Sequence, residues 1–155
     1  MTAPRALVDT NVVVAALEEA HVHHAASAAV LENAELFELC IAAHSYAEAF
    51  STLTRQGERG PFRWSADQAW AALARVAGYS RLVGTTPAQT FEAIRSYAAV
   101  GGTGPRLYDR LIGQAAVTAG VGVIVTWNMS HMRSLFPQLT VLTPAEYSAR
   151  SAGLH

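Results

Sequence analysis

Three acidic side chains lie where a parallel sheet would bring them together. Asp9 directly follows the apolar run Ala6–Val8, Glu48 follows a second apolar run, and Asp109 lies near the start of an Ala-rich helical pattern. Because ligands bind outside the carboxyl ends of the strands in open parallel sheets, we expect the three carboxylates to converge at that edge. Three mutual pairs at about 5 Å would repel by about 10 kcal/mol at an effective dielectric constant of about 20, a cost that only protons or a bound cation remove.

The cation expected at such a site is Mg²⁺ or Mn²⁺. Carboxylate oxygens are hard ligands, and Cys40, the only cysteine, lies in an apolar run that favours a buried small hydrophobe. The segment His21-Val22-His23-His24 has poor spacing for a zinc site and is interpreted as the start of a helix. An acidic metal site suits phosphoryl chemistry, in which the metal activates water and neutralises developing charge.

Each acid also has a structural interpretation. Asp9 can cap the helix that follows it. The segment Ser45-Tyr46-Ala47-Glu48 matches a capping box, which would make Glu48 a helix-start residue. Asp109, near a helix start, can stabilise the helix dipole. The convergence of all three acids favours the functional interpretation.

Composition limits the classes of protein that fit. The chain has 155 residues, of which 51% are hydrophobic and 15% charged, with a net charge of −1, so we expect one folded domain rather than a disordered chain. All eleven cationic residues are Arg, which excludes a P-loop, Schiff-base chemistry and a receiver domain that needs Lys. A phosphatase with a D-x-D motif is excluded because Asn11 occupies the third position. No run reaches about 18 apolar residues and no signal peptide is evident, so we expect a cytoplasmic protein without a membrane span.

Short apolar runs alternate with helical patterns along the chain. The predicted strands are Ala6–Val8, Phe37–Ala42, Arg81–Gly84, Val121–Thr126 and Thr140–Leu142, and the predicted helices are Asn11–Ala20, Ala25–Asn33, Tyr46–Arg55, Ala66–Ala77, Pro87–Ala99 and Leu107–Ala119. Capping boxes at Ser65–Gln68, Thr86–Gln89 and Thr143–Glu146 mark three helix starts. The alternation predicts an α/β fold with a mostly parallel sheet covered on both faces, and the apolar run Val121–Val125 favours a central strand.

Four ordered segments resemble a known family. They are Leu7-Val8-Asp9-Thr10-Asn11, Ser45-Tyr46-Ala47-Glu48, Tyr108-Asp109-Arg110-Leu111-Ile112 and Val125-Thr126-Trp127-Asn128. In this order the chain resembles PIN-domain ribonucleases, most closely the VapC-type toxins of bacterial toxin–antitoxin pairs. The resemblance implies a three-layer α/β/α domain with four to five strands over residues 1–147 and a C-terminal tail over residues 148–155.

The resemblance also implies a function and roles for individual residues. Asp9, Glu48 and Asp109 would be metal-binding catalytic acids in an endoribonuclease that depends on Mg²⁺ or Mn²⁺. The same resemblance implies a homodimer and a cognate antitoxin protein that blocks the site. The residues implied to orient Asp9, to contact the scissile phosphate or to form the pocket floor are Thr10, Asn11, Thr126 and Asn128. Arg110 is predicted, from its position next to Asp109, to contact substrate phosphate or to neutralise the acids.

One departure from the family pattern concerns the metal. A fourth acid often follows the central strand, whereas this chain has Asn128 and no carboxylate up to His131. Asn128 can form hydrogen bonds but brings no charge, so we expect one protein-held ion rather than two. His131 contacts phosphate or is a surface histidine. The missing acid also leaves open a second interpretation, a catalytically weakened PIN-like protein-binding module.

Two further groups of residues have open roles. The segment Arg55–Trp64 contains three Arg and two aromatic residues, which suits RNA binding or antitoxin binding, or else is a solvated loop packed on the next helix. Trp70, Phe91, Ile94 and Tyr97 recur at helical spacing and are predicted to be core or dimer-interface residues.

Overall fold

Five parallel strands form one sheet in the computed structural model, which describes residues 5–153. The strands are β1 (Ala6–Val8), β2 (Cys40–Ala42), β3 (Arg81–Val83), β4 (Val123–Val125) and β5 (Thr140–Leu142). Their order is β3-β2-β1-β4-β5, and every neighbouring pair is parallel. β1 therefore occupies the centre, and the apolar strand β4 lies beside it between β1 and β5.

Eight helices connect and cover these strands in the described part of the chain. They are α1 (Thr10–Leu17), α2 (His24–Glu32), α3 (Ala43–Thr54), α4 (Ala66–Gly78), α5 (Pro87–Ala99), α6 (Arg106–Thr118), α7 (Met129–Leu135) and α8 (Pro144–Ala152). The capping boxes at Ser65, Thr86 and Thr143 are confirmed, with both reciprocal hydrogen bonds present in each. Local hydrogen bonding thus sets the starts of α4, α5 and α8.

The two faces of the sheet are buried in separate cores. Ala6 and Val8 of β1 pack into a core with side chains from α1, α2, α3, α4 and α8. Leu7 points the other way and packs with side chains from α6 and α7. Helices thus cover both faces of the sheet, which confirms the predicted three-layer α/β/α fold. A parallel strand buried in this way carries apolar side chains on both of its faces. α5 packs against α6 and contributes no fully buried residue.

Two predictions of local structure are wrong, and one short helix was not predicted. α3 begins at Ala43 and its N-cap is Ala42, so Ser45–Glu48 is not a capping box and Glu48 lies in the second turn. β2 begins at Cys40 rather than Phe37, because the preceding residues form turns. α7 was not expected: it is short, and its N-cap, Asn128, makes no side-chain capping bond that would mark its start.

The predicted core role of Trp70, Phe91, Ile94 and Tyr97 is also wrong for the first three. Trp70 is 67% exposed and Phe91 75% exposed, and Ile94 is also exposed. Tyr97 is half-buried, and its hydroxyl donates a hydrogen bond to the carbonyl of Thr103. The dimer-interface alternative is therefore the one that remains for the exposed residues.

The C-terminal region continues the helical architecture. α8 begins at Pro144 and ends at Ala152, so it crosses the predicted boundary between a domain of residues 1–147 and a tail of residues 148–155. Residues 1–4 and 154–155 of these two predictions lie outside the described residues. Within residues 5–153, no helix has both the length and the apolar character needed to cross a membrane.

Candidate active site

Three separate elements deliver carboxylates to one cavity at the carboxyl edge of the sheet. Asp9 follows β1, Glu48 lies on α3 directly after β2, and Asp109 lies in the first turn of α6. The cavity has a volume of about 310 Å³. Its lining consists of Asp9, Thr10, Asn11, Val14, His21, Glu48, Thr52, Phe62, Asp109 and Ile112. The crossover order of the sheet, with β1 between β2 and β4, is what places these distant residues together.

Asp9 is the most buried of the three acids. It is 2% exposed, and it caps α1 by accepting a hydrogen bond from the Thr10 backbone N–H at 2.7 Å. Its other oxygen accepts from the Thr126 hydroxyl at 2.7 Å. Burial raises the pKa of the Asp9 carboxyl from 3.8 to about 6, the Thr126 and Thr10 hydrogen bonds oppose this rise, and the Asp109 charge adds to it. Asp9 therefore caps a helix and also lines the cavity.

A hydrogen-bonded group of polar residues holds Asp9 in place. The Thr126 hydroxyl oxygen accepts from Asn11 Nδ2 at 3.2 Å and from the Asn128 backbone N–H at 2.9 Å. Asn11 Oδ1 accepts from the Trp127 backbone N–H at 3.1 Å. This group ties the end of β4 to the start of α1, so the predicted residues Asn11 and Thr126 lie beside Asp9, as their positions after neighbouring strands suggested.

Glu48 is half-buried and shares its environment with a threonine and a histidine. The Thr10 hydroxyl donates to Glu48 Oε1 at 3.1 Å, and His44 Nε2 lies 3.2 Å from the same oxygen. Burial raises the pKa of the Glu48 carboxyl from 4.5 to about 7, the Thr10 hydrogen bond opposes this, and the charges of Asp9 and Asp109 add to it. Near neutral pH, Glu48 is therefore divided between its protonated and ionised forms.

Asp109, like Glu48, lies next to a hydrogen-bond donor and a histidine. Asn128 Nδ2 donates to Asp109 Oδ2 at 3.4 Å, and His131 Nε2 lies 3.2 Å from that oxygen. Burial raises the pKa of the Asp109 carboxyl, whereas the Arg106 charge lowers it. Asn128 thus contributes a hydrogen bond to Asp109 and no negative charge.

Sequence reasoning assigned no role to His44 and predicted that His131 contacts phosphate or is a surface histidine, whereas each histidine lies beside an acid. Burial lowers the pKa of His44, and burial together with the charges of Arg106 and Arg110 lowers that of His131. The Nε2 atoms of both are buried and form no hydrogen bond of good geometry. The i,i+4 spacing of His44 and Glu48 was a signal in the sequence for one contact. His131 reaches Asp109 only through the packing of α7 against α6.

Arg110 does not line the acidic cavity. Its guanidinium lies 5.1 Å from the centroid of the Tyr97 ring, and it lines a separate cavity of about 540 Å³ between α5, α6 and α7. The arginine that acts electrostatically on Asp109 is Arg106, one turn earlier on α6. Adjacency in sequence did not bring Arg110 to the acids, because neighbouring residues point in different directions from a helix.

The donor set has the chemistry that a hard divalent cation requires. Three carboxylates line one cavity, and burial raises the pKa of each. Two buried imidazole nitrogens beside them lack hydrogen-bond partners. Within residues 5–153, no three His, Cys, Asp or Glu side chains are close enough to form a complete metal cluster as they stand. The residues fit a cation in type and charge.

Comparisons with known proteins identify the same architecture. A model of the PIN domain matches residues 6–128. The VapC20 toxin of Mycobacterium tuberculosis, whose structure is described as that of a sarcin–ricin loop cleaving toxin, is 16% identical with a TM-score of 0.64, covering 83% of this chain and 94% of that one. VapBC2 from Rickettsia felis, solved with a promoter DNA fragment, is 17% identical with a TM-score of 0.62, covering 90% and 98%. FitAcB from Neisseria gonorrhoeae is 19% identical with a TM-score of 0.57, covering 90% and 97%. No curated protein sequence matches this chain.

Proposed function

Because this chain belongs to the PIN domain family, we propose that it is a divalent-metal-dependent endoribonuclease and the toxin of a toxin–antitoxin pair. The observation that carries the proposal is the convergence of Asp9, Glu48 and Asp109 on one cavity of about 310 Å³. A buried group of acids with raised pKa values is unstable in its ionised form, and a divalent cation relieves that cost. The structural neighbour described as a sarcin–ricin loop cleaving toxin supports RNA as the substrate.

Each residue of the site has a proposed part in the reaction. Asp9, Glu48 and Asp109 would hold Mg²⁺ or Mn²⁺, which when bound supplies Lewis-acid activation of water and neutralises charge on the phosphodiester. Thr126 and Thr10 fix the orientation of the Asp9 and Glu48 carboxylates through their hydroxyl donors. Asn11 and Asn128 extend this support from the end of β4.

Partner binding is the second part of the proposal. Two of the structural neighbours are complexes described as VapBC2 and FitAB bound to DNA, which supports a cognate antitoxin protein for this chain as well. We propose a homodimer through the exposed α5–β3 face, defined by Leu82, Phe91 and Ile94. These residues lie on an edge strand and on a helix without buried residues, which is the kind of surface that a second subunit covers. Since RNA is the proposed substrate, the cytoplasm stays the expected compartment.

A protein-binding module without catalysis is the alternative function. It is favoured by Asn128, which stands where a fourth acid often occurs, and by the incomplete metal cluster within residues 5–153. The two functions differ in what the acids are needed for. A nuclease needs their charge, whereas a binding module needs only the fold.

Substitution of one acid separates the two functions. We expect Asp109→Asn to lower Mn²⁺- or Mg²⁺-dependent cleavage of RNA at least about 100-fold, because a catalytic metal is worth several kcal/mol of charge stabilisation. Asp67→Asn is the matched control, because Asp67 is exposed in the first turn of α4. Chelation should abolish cleavage by the wild type, and circular dichroism should show that both variants fold. Growth inhibition that persists in Asp109→Asn, together with no metal-dependent RNA cleavage by the wild type, would favour the binding module.

A further inference from the structure

Four aromatic rings form a row that begins in the acidic cavity. Phe62 and His21 both line that cavity, and their ring centroids are 6.2 Å apart. The His21 and His23 rings are 5.8 Å apart, and His23 stacks on Trp127 at 3.9 Å with an interplanar angle of 16°. The row therefore connects the carboxylates to the surface beside the end of β4.

Hydrogen bonds and packing against the core hold Trp127 and Phe62 of this row in place. Trp127 Nε1 donates to Ser27 Oγ at 2.9 Å, and the Trp127 backbone N–H donates to Asn11. Phe62 and Trp127 pack with one side against the core between the sheet and α1–α4. Phe62 and His21 are only half-buried, so they keep accessible ring surface toward the cavity.

In the segment Arg55–Trp64, which carries Phe62, some residues hold the loop in place and others are exposed. Trp64 has a structural position, because its Nε1 donates to Glu18 at 2.7 Å and its backbone N–H donates to the Leu53 carbonyl at 2.8 Å. Arg63 Nε donates to the Gly60 carbonyl at 2.9 Å. Gly60 is required, since a Cβ there would lie 1.9 Å from the Arg55 carbonyl oxygen.

Two arginines of the same segment are available for phosphates. Arg55 and Arg59 are exposed, and within residues 5–153 their side chains make no hydrogen bond or ion pair. A flat ring beside metal-binding acids, with free guanidinium groups on the same segment, matches the requirements of single-stranded nucleic acid: stacking for the base and positive charge for the backbone.

We propose that Phe62 and His21 form a stacking subsite for a base of single-stranded RNA next to the phosphate that is cleaved. The inference rests on the proposed nuclease function and adds a residue-level determinant of substrate binding. Stacking tolerates different bases, so Phe62 and His21 set affinity and strand state rather than base identity. The His23–Trp127 pair extends the same surface for a neighbouring base.

The test measures binding of a short labelled single-stranded RNA by fluorescence anisotropy with a metal chelator present, so that no cleavage occurs. Phe62→Leu keeps apolar packing and removes the ring, and we expect it to weaken binding about 5- to 160-fold, which corresponds to the loss of one base–aromatic stack. Phe62→Tyr keeps the ring and should restore wild-type binding. Trp70→Ala removes another exposed aromatic side chain, 67% exposed on α4, and should bind as the wild type does.

Two further measurements separate stacking from a purely structural role. With an RNA that carries an abasic nucleotide next to the cleavage site, the difference between wild type and Phe62→Leu should disappear. In cleavage assays with Mn²⁺, Phe62→Leu should raise KM and leave kcat largely unchanged.

The outcomes distinguish this inference from the proposed function. If the wild type cleaves and binds RNA and Phe62→Leu does so equally well, the stacking subsite is wrong and the nuclease proposal stands. If Phe62→Leu weakens binding of the antitoxin and leaves RNA binding unchanged, the surface belongs to the protein partner and the inference is wrong. If the wild type neither binds nor cleaves RNA, both are overturned.

Discussion

We expect Asp9→Asn to destabilise the protein at low pH and to stabilise it at high pH. The pKa of Asp9 is raised from 3.8 to about 6, chiefly by burial. Because the folded-state pKa is the higher one, the stability linked to this proton is fully present below pH 3.8 and is lost as the pH rises through about 6. A rise of about 2 pKa units at about 1.36 kcal/mol each means that about 3 kcal/mol has been lost by pH 8.

Asparagine removes the charge but satisfies fewer donors. Asp9 accepts hydrogen bonds from Thr10 and Thr126 with different oxygens, and an amide has only one oxygen. The Thr126 hydroxyl already accepts from Asn11 and Asn128, so an amide NH₂ beside it is poorly placed. The lost bond costs about 1–2 kcal/mol. Asp9→Asn should therefore be less stable than the wild type by about 1 kcal/mol near pH 4 and more stable by about 1–2 kcal/mol at pH 8.

Urea unfolding between pH 4 and pH 8 in the presence of a chelator measures this crossover. Asp67→Asn is the control, and because Asp67 is exposed it should stay within about 0.5 kcal/mol of the wild type throughout. At pH 8, Mn²⁺ at about 100 times its dissociation constant should stabilise the wild type by about 2.7 kcal/mol. It should stabilise Asp9→Asn far less. A constant loss of stability at every pH would refute the reasoning, because it would show that the ionised carboxylate is not destabilised by its surroundings.

Three further predictions concern the support of the site and the outer surface. Thr126→Val should destabilise the protein by about 1–3 kcal/mol and raise the pKa of Asp9 further, because the buried carboxylate loses a hydroxyl donor. Urea unfolding measures the stability and NMR titration measures the pKa. An unchanged pKa of Asp9 would contradict this prediction. Gly113→Ala should lower the free energy of unfolding by about 1–3 kcal/mol, because its Cβ would lie 2.0 Å from the Phe136 ring. Gly78→Ala should be neutral or stabilising, because its Cβ would meet nothing within 4 Å. Equal effects of the two substitutions would contradict the packing argument. Leu82→Lys places a charge on the exposed α5–β3 face and should convert the proposed homodimer to a folded monomer, as measured by analytical ultracentrifugation and circular dichroism. A dimer of wild-type affinity would place the interface elsewhere.

Much of the fold was predictable because its signals are local. Each capping box needs only residues three positions apart, and all three specify helix starts in the structure. The apolar runs that became β1 and β4 are buried on both faces and show no alternation. The segment Ser45–Glu48 matched the same local pattern and was misleading. Strand β2 ends at Ala42 and α3 begins at the next residue, so Ser45 already lies inside the helix and cannot be its N-cap.

The candidate site shows where local signals end. The sequence alone placed Asp9, Glu48 and Asp109 after strands or at a helix start, and parallel pairing was enough to predict that they meet. Only the tertiary structure decided that His131 contacts Asp109 and that Arg110 lies against Tyr97 in a different cavity. These contacts depend on the direction in which a side chain leaves its helix and on how α5 and α7 pack against α6. Packing of that kind is set by many distant residues at once, so no short stretch of sequence encodes it.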